Sequence, residues 1–469
     1  MTGVTSARDT VETLLDRIED VDQMTNAVCT VNPRAAEQAA RLDGQKADQG
    51  ARGALHGQAV LVKDNIDTAD LLTTAGSLAL SNAPPAGDAP LVRRLRRAGL
   101  VVLGKTNLSE WANIRDERST SGWSGYGGLT RNPYALNRSA GGSSSGSGAA
   151  VAARLARFAV GTETDGSITC PAAYNGCVGI KPTVGLISTE GVVPISSSQD
   201  TPGPLALTVK DAAALLSVLT DDGTDYASHA IEGRLAGKRI GVPRKHFWGG
   251  SPQADAAAEE SIGLLSAAGA LIVDNTDIDA MVDYGFDDEL AVMLAELVSG
   301  MRGYLASRPG DGPKTLADLV AFNREHAEEE MAYFGQSFFE MALELPAVGS
   351  VDYAKARAAC LAHGRDDGID KVLREHSLDA LISPPYGPAG PIDLVNEEHN
   401  WGTTTQPAAM AGYPLVTVPS GLVHGLPVAV SFWGTAGSEA TLIEIACGYE
   451  LERNRVGGEL PEPTYPSFI

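Results

Sequence analysis

The sequence predicts an α/β protein, a sheet covered by helices on both faces. Two observations predict it: short, wholly apolar runs alternate with helical segments, and Gly- or Pro-rich turns separate them. Taken in order, Val11, Leu14, Leu15, Ile18 and Val21 recur at helical spacing, and Ser6 with Asp9 makes a capping-box-like start. AVLV at 59–62 is a buried strand that ends at Lys63. Asp88 is expected to cap a helix carrying Leu91, Val92 and Leu95, which Gly99 closes. LVVL at 100–103 is the next strand, GAAVAARLA at 148–156 a helix, and RFAV at 157–160 a strand running into a glycine loop. Residues 224–335 are acidic, rich in Ala and Glu, mostly helical in pattern and without a motif; they read as a periphery that shapes a cleft. After residue 378 short apolar runs return as ALIS (380–383), PLVTV (414–418) and PVAVSF (427–432), and a last helix covers 439–451. There is no internal repeat.

Composition narrows the function classes. A chain of 469 residues, 43% of them apolar, has ample material for a core. Its 36 Lys and Arg stand against 59 Asp and Glu, a net charge of −23. Such a surface repels phosphate backbones and anionic lipid head groups, so neither nucleic acid nor a membrane is an expected partner. Cys29, Cys170, Cys177, Cys360 and Cys447 are odd in number and scattered, which suits a reducing compartment rather than a disulfide framework. The histidines show no metal spacing; the segment HAEEE at His326 lacks the second histidine of a zinc helix, so no metal is expected. The start, MTGVTSARDTVETLL, has no signal-peptide run, and no apolar stretch is long enough to span a bilayer. A cytoplasmic location is expected.

Two motifs mislead. GLVVLGKT at 99–106 matches the Walker A pattern letter for letter. A P-loop needs flexible chain whose N–H groups wrap a phosphate, and here the variable positions are the strand itself. GSSSG at 142–146 fits the nucleophile elbow of α/β-hydrolases, which would make Ser144 the nucleophile with His376, His399 or His424 downstream. The elbow lies between a strand and a helix, and the preceding YALNRSAG is polar and lacks a strand pattern.

A different constellation carries the chemistry. GGSSSGSG at 141–148 opens directly into an apolar helix, whose N-terminus offers free N–H groups and a partial positive charge. A second glycine loop, GTETDGSITCP at 161–171, follows a strand, and successive amides in such a loop can converge as an oxyanion hole. Ser167 sits at its far edge. A lone serine in a glycine loop is usually a turn residue. Two such loops and a lysine ending a buried strand are more than that.

Lys63 in LVKDN, Gly-Gly-Ser-Ser at 141–144 and GTETDGS at 161–167 together resemble the amidase-signature enzymes, with Ser143 and Ser167 at a similar separation of 24 residues. TTAGSLAL (73–80), VVLGKTNLSEWAN (101–113), SSSQDTPGP (196–204), TLADLVAFNREH (315–326) and GLPVAVSFWGT (425–435) are similar to the subgroup of bacterial peptide amidases. The resemblance implies a central mixed β-sheet sandwiched by α-helices. It implies one domain over 1–469: an N-terminal helical segment (1–55), a catalytic core (56–223), a peripheral mostly helical region (224–378) and the C-terminal part of the core (379–469). It further implies a Ser–cisSer–Lys triad: Ser167 as nucleophile, Ser143 after a cis peptide bond as relay, and Lys63 as base. The amides of Thr164, Asp165, Gly166 and Ser167 would form the oxyanion hole. Many family members have Gly where this chain has Asp165 and Ser145, and Arg where it has Thr169; Asp165 agrees with the peptide-amidase subgroup.

Lysine acts as a base only when neutral, and burial at the end of an apolar strand would favour that form. The expected reaction is carboxamide hydrolysis through an acyl-enzyme, without a cofactor, on small linear amides or C-terminal peptide amides. Trp111, Asn113, Trp123 and Gln199 lie near the matched motifs and are candidate substrate-binding residues, the two tryptophans equally ordinary core aromatics. A monomer or homodimer is expected. Two other readings share the motifs: the amidase subunit of a tRNA-dependent amidotransferase, and a non-catalytic amide-binding relative.

Overall fold

A computed structural model describes residues 6–231, 233–396, 398 and 404–469. Its centre is an 11-stranded mixed sheet. In chain order the strands are β1 (Val28–Val31), β2 (Ala59–Lys63), β3 (Val101–Thr106), β4 (Phe158–Glu163), β5 (Val178–Lys181), β6 (Thr201–Ala206), β7 (Arg239–Val242), β8 (Leu271–Asp274), β9 (Ala380–Ser383), β10 (Leu415–Val423) and β11 (Leu426–Trp433). Across the sheet they run β1-β3-β2-β4-β6-β5-β10-β11-β9-β7-β8. β2 is parallel to both β3 and β4, and β7 to both β8 and β9; the remaining pairings are antiparallel.

The apolar runs are strands because both sheet faces are covered. Successive side chains of a strand point to opposite faces. Val60 and Val62 accordingly join one core with Val102, Phe158 and Val160, while Ala59 and Leu61 join another with Val101, Leu103 and Ala159. Helices Pro90–Arg97, Val209–Leu219, Pro252–Ala267 and Glu439–Gly457 bury residues in the first core, and helices Ala7–Thr25, Ala35–Gln49 and Ser145–Ala152 in the second. A separate apolar cluster joins Trp111 to helices Asp287–Ser307, Leu316–Glu325 and Ser337–Glu344. None of the five cysteines is in a disulfide. Among the described residues no helix is long and apolar enough to cross a membrane.

Local expectations differ from the structure at three places. Asp88 does not cap the helix after it: Ala89 is the N-cap, and the Asp88 carboxylate accepts from Ala69 N–H at 2.8 Å and from Arg96 Nε at 2.9 Å. Within 224–378, two segments of a mostly helical stretch are strands, β7 and β8, paired in parallel at one edge of the sheet. Residues Ala135–Ser139, polar to the eye, pair with Arg131–Asn132 as a small antiparallel ladder.

Candidate active site

Parallel neighbours bring their carboxyl ends to the same side of a sheet. That places Lys63, the last residue of β2, beside Thr162 near the end of β4. Lys63 Nζ donates to Thr162 Oγ1 at 2.9 Å and to Thr162 O at 3.3 Å, and Asn65 Nδ2 shares Thr162 Oγ1 at 3.0 Å. The third donation of the amine goes to Ser143 Oγ at 2.8 Å. Lys63 and Ser143 are both fully buried. Burial pushes the lysine down to about 7, against the opposing pull of the Asp200 and Glu163 carboxylates.

Ser143 precedes the helix Ser145–Ala152, and its bond to Gly142 is cis. That helix begins with small residues because it lies close against other backbone. A Cβ on Gly146 would stand 2.2 Å from the Ala27 carbonyl oxygen and 2.6 Å from that of Asn107. Ser144 N–H donates to the Ser167 carbonyl at 3.1 Å, which ties the two loops together. Among the described residues no hydrogen bond joins Ser143 Oγ to Ser167 Oγ.

The loop after β4 is held at both ends by carboxylates. Glu163 Oε2 accepts from the N–H groups of Ile168 at 2.7 Å and Thr169 at 2.8 Å. Asp200 Oδ1 accepts from Thr164 Oγ1 at 2.6 Å, and its other oxygen accepts from Ile195 and Ser196 N–H at 2.8 and 3.0 Å. Between these braces, the N–H groups of Asp165, Gly166 and Ser167 donate to no protein acceptor among the described residues. Gly166 has φ of 77°, and a Cβ there would meet the Tyr386 hydroxyl at 2.1 Å, so a glycine is required for the turn. Three unpaired amides in one turn are available to an oxygen that gains negative charge.

Thr164, Asp165 and Ser167 line a cavity of ≈ 190 Å³ together with Asn113, Gly142 and Tyr386, and with apolar walls from Ile195, Phe286, Met293 and Phe338. A larger cavity of ≈ 540 Å³ lies against Arg138, the 388–391 loop and Ile469, and contains none of Lys63, Ser143 and Ser167. Chemistry therefore directs attention to the smaller one.

Of the sequence-level candidates, Asn113 lies on this cavity and Trp111, Trp123 and Gln199 do not. Trp111 packs edge-on against Phe339 at 5.8 Å in the helical cluster. Trp123 lies against Tyr333 and Phe334, at 5.4 and 5.1 Å, with the Arg115 guanidinium over its ring. Both residues are buried, Trp111 at 1% and Trp123 at 6% exposure. Gln199 is buried too, donating to Glu289 Oε1 at 2.7 Å. Of the lining residues that sequence reasoning missed, Phe286, Met293 and Phe338 come from the acidic helical stretch and the segment just after it, where no motif marks them.

The two misleading motifs serve structure instead. Lys105, the Walker-like lysine, is buried in β3, donates to Ile66 O at 2.7 Å and Thr73 Oγ1 at 2.9 Å, and pairs with Asp64 at 3.1 Å. Ser144 Oγ donates to Thr162 O at 3.1 Å and accepts from Thr162 N–H at 3.2 Å, so the elbow serine is tied to the backbone of β4. His399 lies outside the described residues.

A buried amine on a serine, beside a turn of unpaired amides, is an arrangement for acyl transfer. The Amidase family model matches residues 9–443. A probable amidase of Arabidopsis thaliana is 37% identical over 95% of this chain and 86% of its own length. The crystal structure of the native peptide amidase from Stenotrophomonas maltophilia superposes with a TM-score of 0.90 at 42% identity, covering 98% of this chain and 95% of that one. A glutamyl-tRNA(Gln) amidotransferase subunit from Symbiobacterium thermophilum is 33% identical over 96% of this chain and 94% of its own length. The chain belongs to the amidase family, the amidase-signature enzymes, and is close to the peptide amidases within it. It is a hydrolase of amide C–N bonds.

Proposed function

We propose that this enzyme hydrolyses C-terminal peptide amides or small linear carboxamides through an acyl-enzyme on Ser167. One observation carries the reading: a buried lysine, lowered to about 7, donates at 2.8 Å to Ser143, whose neighbour Gly142 lines a cavity together with Ser167. In its neutral form Lys63 takes a proton from Ser143 Oγ as Ser143 takes one from Ser167 Oγ. This step requires the two hydroxyls to come within hydrogen-bonding reach when substrate binds. Ser167 Oγ then bonds to the amide carbon, and the carbonyl oxygen takes the negative charge against the amides of Thr164 through Ser167. As the C–N bond breaks, the relay returns the proton to the departing ammonia or amine. Water repeats the path, breaking the ester and releasing the acid.

The apolar walls suit a hydrocarbon or peptide acyl group next to the reacting carbonyl. This reading treats residues 1–469 as one domain and places it in the cytoplasm, where five cysteines outside any disulfide persist. Ammonia release from an amidated dipeptide, a fatty amide, an aryl amide and glutamine tests it. Turnover of the amidated dipeptide that disappears in Ser167→Ala supports the proposal, and inactivity on all four sinks it.

Similarity to a glutamyl-tRNA(Gln) amidotransferase favours a second reading, in which the same site frees ammonia for a partner. Net charge of −23 opposes contact with tRNA. Glutaminase activity that appears only with a partner protein would establish it.

A further inference from the structure

Asp165 occupies an unusual position on the loop that holds Ser167. Asp165 lines the same cavity, and its Oδ1 is buried and accepts no hydrogen bond among the described residues. A buried acceptor without a donor costs free energy unless something supplies the donor. Glu289, from the helix Asp287–Ser307, stands in the same environment. It accepts from Gln199 at 2.7 Å, and its Oε2 is also unpartnered. Burial and the neighbouring Asp165 charge hold Glu289 well above the ordinary carboxylate range, so it keeps its proton. Burial raises Asp165 as well, to about 6, with the nearby Lys181 charge opposing the rise. The pair therefore presents one carboxylate to the cavity, two residues before Ser167 in the chain.

We propose that Asp165 selects a carboxamide over an ester, its free oxygen accepting an N–H of the amide group whose carbonyl carbon Ser167 attacks. The inference rests on the acyl-enzyme reading above. An ester of the same acid has the same carbonyl and no N–H, so it uses the oxyanion turn without using the Asp165 carboxylate. A site built to hold a substrate N–H discriminates against the analogue that lacks it, because its own polar group is then left unpaired. The amide group of Asn has no negative charge to offer in place of the carboxylate, and its carbonyl is a weaker acceptor.

The experiment compares kcat/KM for an N-acylated dipeptide amide and the matching methyl ester, in the full-length enzyme and in Asp165→Ala and Asp165→Asn. In D165A the amide-to-ester ratio of kcat/KM is expected to fall by about tenfold or more. D165N is expected to move the ratio the same way by less. Amide and ester rates that fall together, or a ratio that does not move, overturn the proposal. Should D165A fail to fold, D165N decides by the direction of the ratio: a fall supports the proposal, and an unmoved ratio overturns it. Failure of the parent enzyme on both substrates would instead strike the acyl-enzyme reading, which keeps the two tests separate.

Discussion

Lys63 Nζ lies 2.8 Å from Ser143 Oγ, and neither side chain is exposed. A charged ammonium there is costly, since it has only Thr162, Ser143 and the more distant Asp200 and Glu163 to offset lost hydration. The neutral amine is therefore within reach at ordinary pH, and it is the neutral amine that can take a proton.

Replacing Lys63 with Met keeps the stem and removes the base. Lys63→Met is expected to lower kcat by at least about a hundredfold, the usual scale of a general base. Lys63→Arg is expected to be no better, because a guanidinium does not lose its proton. Ammonia release under saturating substrate, with circular dichroism to verify folding, measures both. An active Lys63→Arg enzyme would contradict the base assignment.

The acid limb of the pH profile follows from the same group. The amine must be unprotonated to act, so kcat/KM is expected to rise with pH through a midpoint near 7. Stability has the same sign. The folded-state value lies below the ordinary 10.5, so between about 7 and 10.5 the unfolded chain binds more protons at this site. Lys63 therefore opposes folding most below pH 7, and the penalty shrinks as pH rises towards 10.5. Denaturant midpoints of the parent and Lys63→Met across that range measure it: the difference should narrow as pH rises.

Asp200 is the charge that most favours the protonated amine. Asp200→Asn removes that charge, so the acid limb is expected to move to lower pH. The carboxylate also braces Thr164, Ile195 and Ser196, so kcat is expected to fall about tenfold as the loop loosens. A pH–rate profile separates the two effects. A limb that stays in place would remove Asp200 from the electrostatics of Lys63.

Trp111 and Trp123 are expected to act on stability and not on substrate affinity. Truncating either to Ala leaves a large hole among buried rings, a loss of about 3–5 kcal/mol. Trp111→Phe and Trp123→Phe are milder and are expected to lower Tm while leaving KM for the amide within about twofold. Differential scanning fluorimetry and steady-state kinetics check the two halves. A large KM change without a Tm change would return these rings to the substrate cleft.

Much of this was legible in the sequence because it depends on local pattern. β2, β3 and β4 are buried on both faces, and the continuous apolar runs that follow from this are visible before any coordinates. Lys63, Ser143 and Ser167 stood out as polar residues at the ends of such runs or in glycine loops opening into helices. β7 and β8 were hidden because they are short and lie inside a long, mostly helical stretch. Asp88 had the right chemistry for a cap, yet nothing local tells a carboxylate whether to meet the helix amides or Arg96.

By itself the sequence determined the α/β class, the family and the three polar residues, since each rests on spacing along the chain. Only the tertiary structure decided which of them touch, how far burial neutralises Lys63, and which side chains wall the cavity. Those depend on neighbours supplied by distant segments: Thr162 reaches Lys63 through parallel strands, and Glu289 reaches Gln199 from a helix far along the chain. Desolvation is a property of everything that surrounds a group, and a linear string does not list what surrounds it.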